Sequence, residues 1–86
     1  MEEEIGRITH FFSHLNVGIV QVTHGTIKPG DTLHFKGHTT DFFQTVESMQ
    51  KEHAAVNQAA KGESVGIKVK EPVREHDLVF KVIPDK

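Results

Sequence analysis

Cysteine is absent from this chain of 86 residues, so neither a disulfide framework nor thiolate chemistry is open to it. That absence fits a reducing compartment. Long apolar runs are missing too: the stretch from Val17 to Val20, already broken by Gly18, is far too short to cross a bilayer. The first residues are acidic (Glu2, Glu3, Glu4), where a secretory signal would be basic and then apolar. The expectation is a cytoplasmic protein with no membrane partner. An excess of one charge is also lacking. Twelve acids face ten bases for a net charge of −2, and three of those acids sit in the N-terminal glutamate run. A protein that lives on nucleic-acid backbone charge is usually strongly basic. Seven histidines would turn the chain cationic near pH 6.

The motifs of phosphate chemistry are missing as well. No GxxxxGK[ST] loop offers backbone N–H groups to phosphates. Neither a DxxG switch nor an NKxD base-reading motif occurs. Ser13, Ser48 and Ser64 lack a nucleophile elbow. These gaps lead us to expect no catalytic residues, no GTP, no cofactor and no enzyme. His10 and His14, like His34 and His38, are four residues apart. On a strand that separates them by about 13 Å, at ~3.3 Å per residue, whereas one metal needs its nitrogens about 2 Å away. Metal binding is not expected.

What is present is a series of short β-type runs separated by turn residues, in one domain spanning 1–86 with tails at 1–4 and 84–86. Residues 5–12 and 17–22 form the first two runs. Lys28-Pro29-Gly30-Asp31 is the clearest turn: proline presets its second position and glycine supplies the positive φ of the third. Residues 32–36 then alternate, with Leu33 and Phe35 inward and His34 and Lys36 outward. Residues 41–50 read as a longer strand. Residues 64–70 set Val65, Ile67 and Val69 on one face, and Leu78, Phe80 and Val82 repeat that pattern in the last run. The alanine-rich stretch 52–61 could hold one helical turn before Gly62. A chain this short buries only about 60–65% of the surface it exposes when unfolded. Closing the sheet buries one face of every strand and removes edges. The expected fold is therefore all-β, a closed six-stranded antiparallel barrel.

Two segments carry a resemblance. Gly25-Thr26-Ile27-Lys28-Pro29-Gly30-Asp31-Thr32-Leu33 resembles a stretch of the second domain of elongation factor Tu and its relatives: glycine, a β-branched residue, a turn ending Gly-Asp, then an alternating strand. Farther on, Val46-Glu47-Ser48-Met49 and Ala59-Ala60-Lys61-Gly62-Glu63-Ser64-Val65-Gly66-Ile67 resemble a second signature, Ala-x-x-Gly-(Asp/Glu)-x-Val-Gly-hydrophobe. Within it Gly66 removes a side chain where a neighbour approaches closely. The likeness covers residues 5 to 83 and implies a free-standing, translation elongation factor-like copy of that barrel. Similar barrels also resemble the C-terminal appendage of collagenase-type peptidases and RNA-modifying relatives, which implies a docking module.

The resemblance implies candidate residues. The acidic position that meets the aminoacylated end of transfer RNA in that family falls on Glu47, and the nearby basic position on Gln50 or Lys51. Gly6 and Arg7 stand where the family has an acidic pair, so the pocket is reproduced in part. Independently, Lys36, Lys68, Lys70 and Lys81 are expected on outward strand faces with Arg7 near, a surface for RNA phosphates. Phe11-Phe12 and Phe42-Phe43 are adjacent pairs, so one ring of each pair must point outward on a strand. Two function classes follow. One is a non-catalytic module associating with transfer RNA, ribosome-associated RNA or the translation apparatus. The alternative is a protein-interaction module docking on a separately encoded enzyme, such as a collagenase-type peptidase or an RNA-modifying relative.

Overall fold

The computed structural model describes residues 1–52 and 54–84, and all regular structure in it is extended. Ten strands follow in chain order: β1 (Glu2–Phe12), β2 (Val17–Val22), β3 (Thr26–Ile27), β4 (Thr32–Lys36), β5 (Asp41–Thr45), β6 (Met49–Lys51), β7 (Ala54–Val56), β8 (Ala59–Ala60), β9 (Ser64–Lys68) and β10 (Leu78–Val82). Eight of them make one antiparallel sheet ordered β5-β4-β10-β1-β2-β9-β6-β7, while β3 and β8 pair separately. Because no helix occurs among the described residues, none is long and apolar enough to cross a membrane.

The all-β, antiparallel expectation agrees with this architecture, but the closed six-stranded barrel does not. Among the described residues no ladder joins edge strand β5 to edge strand β7. The run 41–50 is not one strand because the Val46 peptide is captured by the turn after β3. Its N–H donates to Asp31 O and its carbonyl accepts from Gly30 N, both at 2.8 Å. That leaves β5 and β6 as separate strands on either side of residues 46–48. The alanine-rich stretch is not helical either. Val56 pairs with Met49 and Ala59 with Ile27, so pairing against buried neighbours overrides a weak local propensity. His53 in that stretch, and Asp85 and Lys86 of the expected tail, lie outside the described residues.

The turn at residues 28–31 forms as expected, with Asp31 N donating to Lys28 O at 3.1 Å and Gly30 at φ 97°. Ile5, Ile8, Val20, Leu33, Phe35, Val65, Ile67 and Val79 belong to one buried cluster, in which the Phe35 and Phe42 rings stack with centroids 5.0 Å apart. The last strand has the opposite phase from the expected one. Val79 is its fully buried residue, while Leu78 is exposed and Phe80 and Val82 are half-buried. Pairing fixes this. Val79 lies across from Phe35 of β4, so Phe80 lies across from His34 on the outer face. Lys81, expected outward, reaches Thr26 O at 3.2 Å and Asp31 at 3.3 Å. His34 is also corrected: it is only 8% exposed, held between two carboxylates and the Phe43 ring.

Candidate functional site

Several grooves break the described surface, and two of them gather candidate residues or exposed apolar side chains. The first lies where the free side of β5 comes against the end of β9, and its volume is about 370 Å³. Gln44, Thr45 and Glu47 form one wall, and Lys68, Val69 and Lys70 the other. The Gln44 side chain spans the seam like a peptide group. Its Nε2 donates to Lys68 O at 2.5 Å and its Oε1 accepts from Lys70 N at 2.8 Å. Glu47 points outward because Val46, its neighbour, is locked into the core by the turn beneath it. One acidic and two basic residues line this groove, a set of charges able to hold a phosphodiester and a hydrogen-bond donor.

Of the six candidates, then, Glu47, Lys68 and Lys70 come together. Lys51 does not join them: its Nζ donates to Glu63 Oε2 at 2.7 Å. The hydrogen bond to Glu63 holds the Lys51 ammonium above its usual value, and the same bond, helped by Ala60 N–H, holds the Glu63 carboxyl below its own. Lys36 sits across from Asp41, at the far end of β5 from Thr45. Arg7 is on β1, three strands away from β5, with its Nη2 3.4 Å from Gln21 Oε1.

The second groove, about 320 Å³, is apolar: Phe12, Leu15, Val17, Ile19 and Gly66 line it, with Gln50 and Glu52 at its rim. Leu15 is 62% exposed and Phe12 43%. The groove exists because β2 carries apolar side chains on both faces. Val20 and Val22 are buried inside, while Val17 and Ile19 are half-buried on the outside. Gly66 pairs with Ile19 on one side and Gln50 on the other. A Cβ there would come within 3.1 Å of Val17, so bare backbone forms the floor. Phe12 is the one member the paired phenylalanines point to. Leu15, Val17 and Ile19 escape sequence reading, although a strand apolar on both faces is itself a signal that neither faces open water.

The family model of elongation factor Tu domain 4 matches residues 4–78. The chain belongs to that family. The translation-factor likeness therefore holds, but the family is that of domain 4 and not of the second domain. A relative 41% identical over 78 residues is an uncharacterized protease of Methanocaldococcus jannaschii, and the match covers 90% of this chain and 19% of the relative. A collagenase of Porphyromonas gingivalis is 33% identical over 78 residues, covering 90% of this chain and 22% of the relative. The chain thus spans about a fifth of the length of these curated relatives. In fold, the domain 4 chain is similar to the C-terminal domain of a Geobacillus thermoleovorans protein named as a U32 peptidase. The TM-score is 0.86 at 24% identity, over 94% of this chain and 93% of that one.

Proposed function

We propose that this domain is a non-catalytic accessory module that packs against the catalytic part of a U32-type peptidase through the groove of Phe12, Leu15, Val17, Ile19 and Gly66. The observation that carries the proposal is the length mismatch with its relatives. The same 78 residues make up about a fifth of a protease and of a collagenase, and the similar solved domain is described as the C-terminal part of a U32 peptidase. A module repeated as one part of larger chains needs a surface for the remainder. Exposed Phe12 and Leu15 beside outward Val17 and Ile19 give it a contiguous apolar one. Whether the catalytic part is covalently joined or separately encoded, the surface required is the same.

The test is an NMR titration of the labelled chain with the catalytic part of a U32-type peptidase from its own organism. Amide signals of Phe12, Leu15, Val17, Ile19 and Gly66 are expected to shift, and to shift equally at about 0.5 M salt, because apolar contacts are not screened. Val17→Lys should abolish binding. Shifts confined to residues 44–47 and 68–70, or no shifts at all, would refute the reading.

A second reading rests on the convergence of Glu47, Lys68 and Lys70 at the β5–β9 seam. It is association with the end of a transfer RNA. Binding through two lysines should weaken with salt at a slope of about −1.4 for single-stranded RNA, and Lys68→Glu should eliminate it. A titration at low salt that moves no seam amide rules it out.

A further inference from the structure

We propose that Glu2, His34 and Asp41 form a proton-operated clasp that fastens the start of β1 across β10 to the β4–β5 hairpin. The two ring nitrogens of His34 each face a carboxylate oxygen, Nδ1 at 2.7 Å from Glu2 Oε1 and Nε2 at 2.5 Å from Asp41 Oδ1. A neutral imidazole carries one N–H and one bare lone pair. Only the imidazolium can donate to both carboxylates at once; deprotonation turns one contact into a lone pair aimed at an anion. Water can reach the carboxylates, which are 34% and 68% exposed, but it is poorly placed to reach the ring nitrogens. The side chain is 10% exposed, Phe43 stacks on the ring at 4.1 Å, and the Phe80 centroid lies 6.1 Å away.

The elements around the ring account for its charge balance. From β1 come Glu2 in contact and Glu4, which sits in the same cross-strand row beyond Phe80. From β5 comes Asp41, and from β4 itself Lys36, across from Asp41. β10 contributes the Phe80 ring. Burial pushes the imidazole down, but the bonds to Asp41 and Glu2 and their charges outweigh it, and the group is raised above 6.5.

The mechanical consequence follows from strand order. His34 holds Asp41 on the neighbouring strand and reaches over β10 to Glu2 on β1. Below its titration point the clasp is shut. Above it, that tie weakens while the ladder to β10 persists, where Glu2 pairs with Val82, Met1 N donates to Ile83 O at 3.3 Å and Ile83 N donates to Met1 O at 2.7 Å.

The experiment combines ring-nitrogen NMR with amide exchange in the intact chain. His34 should stay doubly protonated to a pH above 6.5, and both Glu2→Gln and Asp41→Asn should lower its midpoint. Protection of the Glu3, Lys81 and Ile83 amides, corrected for base catalysis, should fall about tenfold on crossing that midpoint, as for losing one hydrogen bond to a charged group. The Ile8 and Val20 amides should hold steady and report an intact core. Glu2→Gln should erase the step. A midpoint at or below 6.5, protection that ignores pH, or a step surviving in Glu2→Gln would each overturn the clasp.

Discussion

Replacing Gln44 by alanine removes a side chain that ties the free side of β5 to the end of β9. Two hydrogen bonds are lost, one given to Lys68 O and one taken from Lys70 N. Each is worth about 0.5–1.5 kcal/mol net. Gln44 is only half-buried, so water can re-solvate the orphaned backbone groups and the sum falls toward the lower end, about 1–2 kcal/mol. In a domain of this size one kcal/mol moves Tm by about 4–8 °C, so calorimetry should show a drop of roughly 4–16 °C. Exchange at the Lys70 amide should accelerate more than exchange at the amides of β2. Gln44→Glu sharpens the test. It keeps the length but turns the donor facing Lys68 O into an acceptor, and it should cost more than alanine at neutral pH. A fall in Tm of less than about 2 °C with unchanged Lys70 protection would show that the seam is held by something other than this amide.

The remaining predictions probe phase and charge. Val79→Ala should be clearly destabilising, whereas Leu78→Ala should stay within about 0.5 kcal/mol; equal costs in denaturant melts would reject the observed phase of β10. Lys51→Ala should return the Glu63 carboxyl toward its ordinary 4.5, followed by carbon NMR, because the Lys51 bond is the main cause of its depression. The raised His34 value makes its stabilisation complete below 6.5 and lost as pH rises through the folded titration point. Stability should therefore decline on the alkaline side, and His34→Phe should flatten that decline.

Strand content and most of the core were legible because alternation is a local property. Leu33 and Phe35, or Val65 and Ile67, announce their face within five residues, and a Pro-Gly pair announces its turn. The errors arise where a distant partner decides. Leu78, Val79, Phe80, Lys81 and Val82 offer apolar residues on both faces, and only pairing of Val79 with Phe35 selects the inner one. Ala54 to Val56 become a strand because Met49 and its neighbours supply a ladder, which local propensity does not register. At the candidate site, three charged residues could be nominated from the resemblance and alternation. The Gln44 bridge could not, since it joins residues 24 and 26 apart in sequence. The Lys51 counter-ion is not legible in the sequence because Glu63 lies twelve residues on.

The two proposed surfaces meet at one side chain, Lys68. It lines the β5–β9 seam, and with Leu15, Val17, Ser48, Gln50 and Gly66 it also lines a groove of about 250 Å³ that shares Val17 and Gly66 with the apolar one. A protein seated on Val17 and Gly66 would therefore cover the Lys68 stem and draw its ammonium out of water. Long lysine side chains accept such packing along their methylenes only while the charge keeps an aqueous or anionic outlet. The seam side, with Glu47 on the opposite wall, is that outlet. Apolar docking would turn the Lys68 charge into the seam, whereas a phosphate held in the seam would pull it away from the groove rim. The sign of the coupling between the two partners is thus set by one side chain: docking first should strengthen anion binding at the seam, and Lys68→Met should uncouple the two surfaces while leaving the apolar groove able to bind.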